Sequence, residues 1–147
     1  MPNYRRLFIV RKDLHMSAGK MSAQLAHCAE VYWLKMLKPG FVSRNELGTI
    51  HYYEVNMPAD IDDNYIRGSI VKTVCEARNL NQLRKAKDFA EAQGLVEGVD
   101  FGFINDNCLT ELEPENEDGT TTTAFWTRPL PDDVAHAISK KYHLYED

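Results

Sequence analysis

The apolar pattern of the first forty residues constrains the fold more than any other feature of the chain. Leu7–Val10 is a short run of apolar residues with strand preference. From Ala18 the apolar residues recur at helical spacing, until Pro39-Gly40 interrupts the pattern. A helix that follows a buried strand packs its apolar side against the sheet before the chain returns to a further strand. The sequence therefore predicts a βαβ crossover.

The same alternation of strands and helices continues to the end of the chain. Further strands are predicted at residues 68–76, 99–104 and 121–127, with an extra one at 50–55, and further helices at residues 79–93 and 131–142. This order predicts one α/β domain over residues 1–147, a compact three-layer-like sandwich. Its mixed sheet is expected to have about four strands flanked by helices.

The net charge of the whole chain argues against nucleic-acid binding that depends on long-range electrostatic attraction. The net charge is −5 at pH 7. The acidic residues collect at residues 54–63 and 111–118, however, so a basic face elsewhere is compatible with the total. The basic residues that stand nearly unopposed in sequence are Arg5, Arg6, Arg11, Lys12, Lys20, Lys35 and Lys38.

Neither a disulfide framework nor a metal site is indicated. Cys28, Cys75 and Cys108 are widely spaced, and the chain contains no Cys-x-x-Cys. We expect buried thiols in a reducing compartment, no metal and no cofactor. No stretch resembles a signal peptide or reaches membrane-spanning length, so we expect no membrane partner and a cytoplasmic location.

The first predicted helix carries an unusual set of polar residues. Lys20, Gln24 and His27 lie within about 60° of one another on a helical projection. One interpretation is a solvated helix face. The other is a functional site, because the free N–H groups near Ser17–Gly19 would attract an anion.

A phosphate-binding P-loop can be excluded at this position. Gly19-Lys20 fits the centre of the motif, but Leu14 stands where its first glycine belongs. Met21 stands where Ser or Thr is required.

A second candidate group follows the predicted strand at residues 99–104. Asp106 is followed four residues later by Thr110, and Thr120–Thr123 lead into the last long strand. A carboxylate beside hydroxyl groups can orient water or a nucleophile. The alternative is that Asp106 forms an Asx-turn and the threonines simply favour a strand.

Several segments together resemble the type II peptidyl-tRNA hydrolase family. RKDLHMSAGKMSAQLAHCAE, at residues 11–30, resembles the first strand and helix of that family. FINDNCLTELEP, TTTAFWTRPLP and SKKYHLYED are similar to its later segments, in order. The matching residues in the first segment are Arg11, Asp13, Leu14, Met16, Gly19, Lys20, Ala23, Gln24 and His27.

The chain departs from the family pattern at four places, one of which is the closing Gly-Pro-Gly-Pro, here Arg128-Pro129-Leu130-Pro131. Asn107-Cys108 replaces the Ala-Gly that usually follows the aspartate, so the loop carrying Thr110 is expected to differ in shape. Pro114-Glu115 replaces a Pro-Gly. Residues 41–66 form a segment longer than the family usually has, which we interpret as an atypical insertion.

The resemblance implies hydrolysis of the ester that joins a peptide, or an N-blocked amino acid, to the 3′ end of tRNA. Lys20 would contact phosphate or the developing oxyanion, and Gln24 would orient substrate or water. Asp106 would polarise water or a hydroxyl group. The other implied site residues are His27 as a hydrogen-bonding partner, and Thr110 and Thr123 as lining residues.

The implied partner is a tRNA that carries a peptidyl or N-blocked aminoacyl group, and a homodimer is left open. Phosphate contacts without base recognition would come from basic side chains. The residues expected to make them are Arg5, Lys12, Lys35, Lys38 and Arg128.

Two other functions stay open. One is a non-catalytic derivative of the fold that binds tRNA or protein, which a test of peptidyl-tRNA turnover would separate. The other is an enzyme acting on a small phosphorylated ligand at the Gly19-Lys20 helix start. Competition between intact tRNA and a free nucleotide would separate that one.

Overall fold

A computed structural model describes residues 3–147 of the chain. The strands in these residues are β1 (Tyr4–Arg11), β2 (Lys38–Asn45), β3 (Gly48–Glu54), β4 (Val71–Ala77), β5 (Phe101–Asp106), β6 (Thr121–Thr127), β7 (Leu130–Pro131) and β8 (His143–Leu144). The helices are α1 (Ala18–Met36), α2 (Ala59–Ile61), which runs into a π-helical turn (Asp62–Ile66), α3 (Leu80–Glu91) and α4 (Asp132–Ser139).

The main sheet is mixed, as predicted. Its strand order is β5-β6-β1-β4-β8, and the short β7 pairs with the start of β1. β1 and β4 are parallel, whereas β6 is antiparallel to both β1 and β5. The C-terminal ends of β1 and β5 therefore lie on the same side of the sheet, next to the start of α1.

Helices cover both faces of this sheet, and each face has its own apolar core. One core joins Leu83 of α3 and Ile138 of α4 to Ile9 and Phe125 of the sheet. The other joins α1 to the opposite face and contains Phe8, Val10, Cys28, Tyr32, Ile61, Tyr65, Ala124 and Trp126. The predicted three-layer α/β arrangement is confirmed.

Helix α1 begins and ends close to where the sequence predicts. The Ser17 hydroxyl caps it by accepting a hydrogen bond from the Lys20 N–H at 3.1 Å. It ends at Met36, and the chain turns directly into β2. The predicted apolar stripe is only partly correct, because Met21 and Leu25 stay half-exposed while Gln24 is fully buried.

The segment between α1 and β4 differs from the sequence prediction. β3 confirms the predicted strand, but its partner β2 is not predicted by the sequence pattern. The two form a separate two-stranded sheet with side chains exposed on both faces. The sequence pattern predicts no helix for the acidic segment after Pro58. It is helical instead, because Ile61 and Tyr65 are buried against the α1 core.

Several predicted boundaries are also wrong by a few residues. β4 begins at Val71 rather than at residue 68, since Ile70 has a left-handed backbone with φ of 45°. α3 ends at Glu91 and α4 at Ser139, each earlier than predicted. β5 continues to Asp106, which makes Asp106 the last residue of the strand.

Cys28 and Cys75 are buried thiols. Burial raises the pKa of Cys28 to about 12 and that of Cys75 to about 11. Within residues 3–147, none of the helices combines the length and the apolar character needed to cross a membrane.

We expect Gly102→Ala to destabilise the protein. Gly102 lies opposite Trp126 across β5 and β6, and an added Cβ would lie 2.9 Å from the indole ring. Overpacking of this kind costs about 1–3 kcal/mol of unfolding free energy. Urea denaturation measures it, with Gly19→Ala as the control, because a Cβ there meets nothing within 4 Å. Equal stability of Gly102→Ala and the unsubstituted chain would contradict the tight packing at Trp126.

Candidate active site

An ion pair joins the start of α1 to the end of β5. Lys20 Nζ lies 2.8 Å from Asp106 Oδ1, and each side chain is only 12% exposed. The same ammonium donates a hydrogen bond to Thr110 Oγ1 at 3.1 Å. The structure therefore brings together residues separated by 86 positions in the sequence.

Two further predicted site residues extend this contact into the core. Gln24 Nε2 donates to Asp106 Oδ1 at 3.2 Å, and Gln24 Oε1 accepts a hydrogen bond from Thr123 Oγ1 at 2.6 Å. Gln24 and Thr123 are both completely buried. Gln24 is therefore not part of a solvated helix face.

An irregularity in the sheet allows Thr123 to reach Gln24. The pairing of β5 with β6 shifts between Ile104 and Asn105, which is a β-bulge. As a result, Thr123 and Ala124 both face α1, although successive residues in a regular strand face opposite sides.

The surroundings of Asp106 keep it ionised. Burial alone would raise its pKa, but hydrogen bonds from Lys20, the Cys108 N–H and Gln24 outweigh that effect and place the pKa below the ordinary 3.8. The Cys108 N–H donates to Asp106 Oδ2 at 2.9 Å. That contact is the Asx-turn considered from the sequence, so Asp106 both shapes the turn and faces Lys20.

The loop after β5 is fastened to the start of α1. Glu111 accepts hydrogen bonds from the Ser17 N–H at 2.9 Å and from the Ser17 hydroxyl at 2.7 Å. These bonds hold the pKa of Glu111 below its ordinary value. The position where the sequence suggested an anion is thus occupied by the protein's own carboxylate. This arrangement does not favour a small phosphorylated ligand there.

A buried arginine fixes the acidic segment that follows. Arg11, at the end of β1, is 3% exposed and pairs with Asp13 at 2.8 Å and with Glu115. It also donates to the Thr122 carbonyl at 3.0 Å. The acidic segment is therefore folded back against β1 and β6.

A cavity of about 510 Å³ opens beside the ion pair. His27 lies in its wall and is exposed, outside the hydrogen-bonded set formed by the other five predicted catalytic residues. The residues around the cavity are Lys20, His27, Glu30, Val31, Leu34, Phe103, Ile104, Asn105, Asp106, Asn107, Leu109 and Thr110. No group of three or more metal-ligating side chains occurs in the described part of the chain.

The predicted phosphate-binding residues do not form one patch. Arg5 lies near the start of β1, at the opposite end of that strand from α1, and pairs with Asp132 at 2.8 Å. Lys12 pairs with Glu76 at 3.0 Å, and Arg128 with Asp100 at 2.7 Å.

The two remaining candidates lie near the end of α1. Lys35 rests over the Trp126 ring and donates to the Gly98 carbonyl at 3.1 Å, while Lys38 is exposed at the start of β2.

The chain is similar to proteins of one known family. The sequence profile described as peptidyl-tRNA hydrolase PTH2 matches residues 4–145. The chain belongs to the PTH2 family.

Proteins named peptidyl-tRNA hydrolase are similar to this PTH2 chain over nearly its whole length. One from Thermococcus onnurineus is 27% identical over 139 residues, which is 95% of each chain. One from Thermoplasma acidophilum is 24% identical over 95% of this chain and 97% of its own. A third, from Metallosphaera sedula, is 30% identical over 92% and 94%.

The fold is also found in a solved structure. A protein of unknown function from Agrobacterium tumefaciens superposes with a TM-score of 0.50 at 11% identity, covering 99% of this chain and all of that one. At this identity the likeness concerns the fold alone.

The PTH2 chain contains site features that its sequence motifs do not indicate. The Ser17–Glu111 contact, the buried Arg11 pairs and the apolar cavity wall join segments far apart in sequence. The replacement of the family's Ala-Gly by Asn107-Cys108, in contrast, does point from the sequence to an unusual backbone in this loop. Cys108 has a φ of 60°, the left-handed conformation that a glycine adopts without strain.

We expect Cys108→Gly to stabilise the protein. A left-handed non-glycine residue costs about 1–2 kcal/mol, and part of that gain is offset by the larger entropy of unfolded glycine. The net increase in unfolding free energy should be about 0.5–1 kcal/mol by urea denaturation. Asn107→Gly is the control and should lower stability, since Asn107 is not among the left-handed residues. A loss of stability in Cys108→Gly would show that its Thr121 contact outweighs the backbone strain.

Proposed function

We propose that this chain hydrolyses the ester bond of peptidyl-tRNA or N-blocked aminoacyl-tRNA, releasing the peptide and free tRNA. One observation carries the proposal. Lys20 Nζ contacts both Asp106 Oδ1 at 2.8 Å and Thr110 Oγ1 at 3.1 Å at the mouth of a cavity. Family membership and the names of the relatives support the same reaction.

Lys20 suits stabilisation of the oxyanion in this reaction. Water adds to the ester carbonyl carbon, and negative charge develops on the carbonyl oxygen. A largely desolvated ammonium group beside that oxygen favours the transition state more than it would in water. The bond between the carbonyl carbon and the ribose oxygen then breaks, and the ribose oxygen takes up the proton that the attacking water loses.

Asp106 suits the orientation of Lys20 and of the attacking water. Its lowered pKa makes it a weak proton acceptor, but an ionised carboxylate can accept a further hydrogen bond from water. Gln24 donates to the carboxylate from the core side and is itself fixed by the hydrogen bond that Thr123 donates to its amide oxygen. Thr110 receives its hydrogen bond from Lys20, so its own hydroxyl proton is available for the substrate.

tRNA contacts are proposed for the end of α1 rather than for all five predicted residues. Lys35 and Lys38 carry no carboxylate partner within residues 3–147, in contrast to Arg5, Lys12 and Arg128. A cytoplasmic location and a homodimer stay expectations. Light scattering of the purified protein tests the latter.

The alternative of a non-catalytic binding derivative has one observation in its favour. Cys108 stands where the family pattern has a glycine and adopts a left-handed backbone with φ of 60° in the loop that carries Thr110. Thr110 nevertheless contacts Lys20, which favours the catalytic proposal.

We expect Asp106→Asn to lower single-turnover cleavage of N-acetylaminoacyl-tRNA by about 10²-fold or more, the scale on which the loss of one group that stabilises charge in the transition state lowers turnover. The substitution keeps the shape of the side chain but removes the charge that orients Lys20. Binding of uncleaved substrate should be unchanged or tighter, because a negative charge near phosphate is lost. Lys20→Ala should weaken both steps, with a loss of about 2–4 kcal/mol in transition-state stabilisation.

Asp88→Asn is the matched control for this experiment. Asp88 is exposed on α3, on the opposite face of the sheet, so its substitution should leave both measurements unchanged. Full activity of correctly folded Asp106→Asn would remove Asp106 from the reaction and favour the binding derivative.

We expect the Lys35→Gln, Lys38→Gln double variant to show a weaker salt dependence of tRNA binding. Each phosphate contact contributes about one unit to the slope of log affinity against log salt, so the slope should fall by up to about two. Lys85 and Lys140 are exposed and lie on other elements, so Lys85→Gln with Lys140→Gln is the control. An unchanged slope in the first variant would exclude both lysines from the tRNA contact.

A further inference from the structure

The hairpin formed by β2 and β3, at residues 38–54, is exposed on both faces although many of its side chains are apolar. Within the described residues, neither apolar core contains a residue of either strand. Phe41 is 66% and Tyr53 is 58% exposed, and Leu47 at the tip is 90% exposed. A two-stranded hairpin alone is marginally stable in water, and exposed apolar groups that cluster mark an interaction surface. These side chains have no role in the proposed reaction.

The two outer edges of the hairpin differ in how open they are to a further strand. β2 contains Pro39, which has no N–H, and its pairing with β3 is irregular between Pro39 and Val42. β2 also carries Lys38 and Arg44, and charges, prolines and bulges are the features that prevent pairing at a sheet edge. β3 has the sequence GTIHYYE, with no proline, lysine or arginine and a carboxylate only at its last residue. The outer edge of β3 is therefore the one that can accept another strand.

We propose that β3 of a second copy of this chain pairs with that edge, so that the two hairpins form a four-stranded antiparallel sheet about a two-fold axis. Two identical strands related by such an axis are antiparallel. The pairing uses the whole of Gly48–Glu54 when its centre lies at His51. His51 of one copy then lies opposite His51 of the other. This inference does not rest on the proposed function.

The side chains that this register brings together are complementary. Counted outward from the centre, Ile50 lies opposite Tyr52 of the second copy, and Thr49 lies opposite its Tyr53. Aromatic residues opposite β-branched residues are favourable pairs between antiparallel strands. Phe41 stacks on Tyr52 with 4.2 Å between the ring centroids. Phe41, Tyr52 and Ile50 of the second copy would therefore form one apolar row across the sheet.

The same register also covers the exposed tip of each hairpin. Leu47, 90% exposed, lies opposite Val55 of the second copy, which is 43% exposed. Glu54 lies opposite Gly48 of the second copy, which has no side chain. No carboxylate therefore faces another carboxylate, and the apolar contact extends from the tip of one hairpin to the base of the other.

The size of this contact predicts a reversible dimer. The seven residues of β3 span about 23 Å. A pairing of this length buries less than the roughly 800 Å² per partner that is typical of stable complexes. We therefore expect the fraction of dimer to depend on protein concentration.

An RNA partner fits the hairpin less well than a second copy does. The cations Lys38 and Arg44 are balanced by the carboxylates Glu46 and Glu54, so the hairpin has little net attraction for phosphates. Strand pairing, in contrast, needs no net charge, because it depends on backbone groups and on the side chains opposite one another.

The test is sedimentation equilibrium of the purified protein between about 1 μM and 1 mM. We expect His51→Lys alone, and His51→Glu alone, to raise the dissociation constant of the dimer about fivefold, because like charges are then opposed at the two-fold axis. An equimolar mixture of the two variants should regain at least the affinity of the unsubstituted chain, since a lysine then faces a glutamate. His51 is exposed, so the fold should be kept. The same two substitutions at His143, which is exposed on β8, are the matched control and should change nothing.

A second variant tests the contact at the tip without a change of charge. Leu47→Ser should raise the dissociation constant about tenfold, because the dimer contains two contacts between Leu47 and Val55. Val96→Ser removes an apolar side chain that is 56% exposed outside the hairpin, and it should leave the dissociation constant unchanged.

Each of the other outcomes would overturn the inference. The unsubstituted chain could remain monomeric at every concentration, or the dimer could be unaffected by the substitutions at His51 and Leu47. Weaker association of both His51 variants without recovery in their mixture would exclude the two-fold pairing. A monomeric protein whose tRNA affinity falls in Leu47→Ser would assign the hairpin to RNA. These measurements do not involve ester cleavage, so their failure leaves the hydrolase proposal standing.

Discussion

The contact between Lys20 and Asp106 organises the whole site, because it joins a helix start, a strand end and a loop at one point. Both groups are largely removed from water, which is costly for separate charges. The cost is offset by the hydrogen bonds that Gln24 and the Cys108 N–H donate to the carboxylate and by the one that Lys20 donates to Thr110. Removing either partner would leave a charge without its counterpart, so a substitution of one residue also changes the environment of the other.

This contact depends on which ends of the strands and helices lie together. β1 and β5 end on the same side, and α1 begins there because it follows β1 directly. The bulge at Ile104 and Asn105 then turns Thr123 toward α1. Without it, the alternation of β6 would point either Thr123 or Ala124 away from the helix. The bulge therefore determines which hydroxyl group reaches Gln24.

The sequence predicts that Lys20 and Asp106 lie near each other, but it does not predict the buried contacts behind them. The βαβ order and the helical spacing were enough to place Lys20 and Asp106 at neighbouring element ends. A helical projection assigned Gln24 to the polar side, yet Gln24 is buried, because a projection contains no information about a buried hydroxyl group 99 positions away. The strand β2 was not predicted, since Pro39-Gly40 is a strong signal for a helix end and both faces of the hairpin stay exposed. The Ser17–Glu111 contact depends on loop geometry that spacing does not encode.

The net charge of −5 is compatible with an RNA substrate once the ion pairs are known. Arg5, Lys12 and Arg128 are each matched by a carboxylate, and Glu111 occupies the N-terminus of α1. Little free positive charge therefore remains near Lys20, and electrostatic attraction to phosphates would be modest. Contacts of shape and hydrogen bonding would then contribute more to tRNA binding than attraction between charges. The cavity next to Lys20 combines apolar side chains with Glu30 and Asp106, whereas a cluster of lysines would bind any nucleic acid.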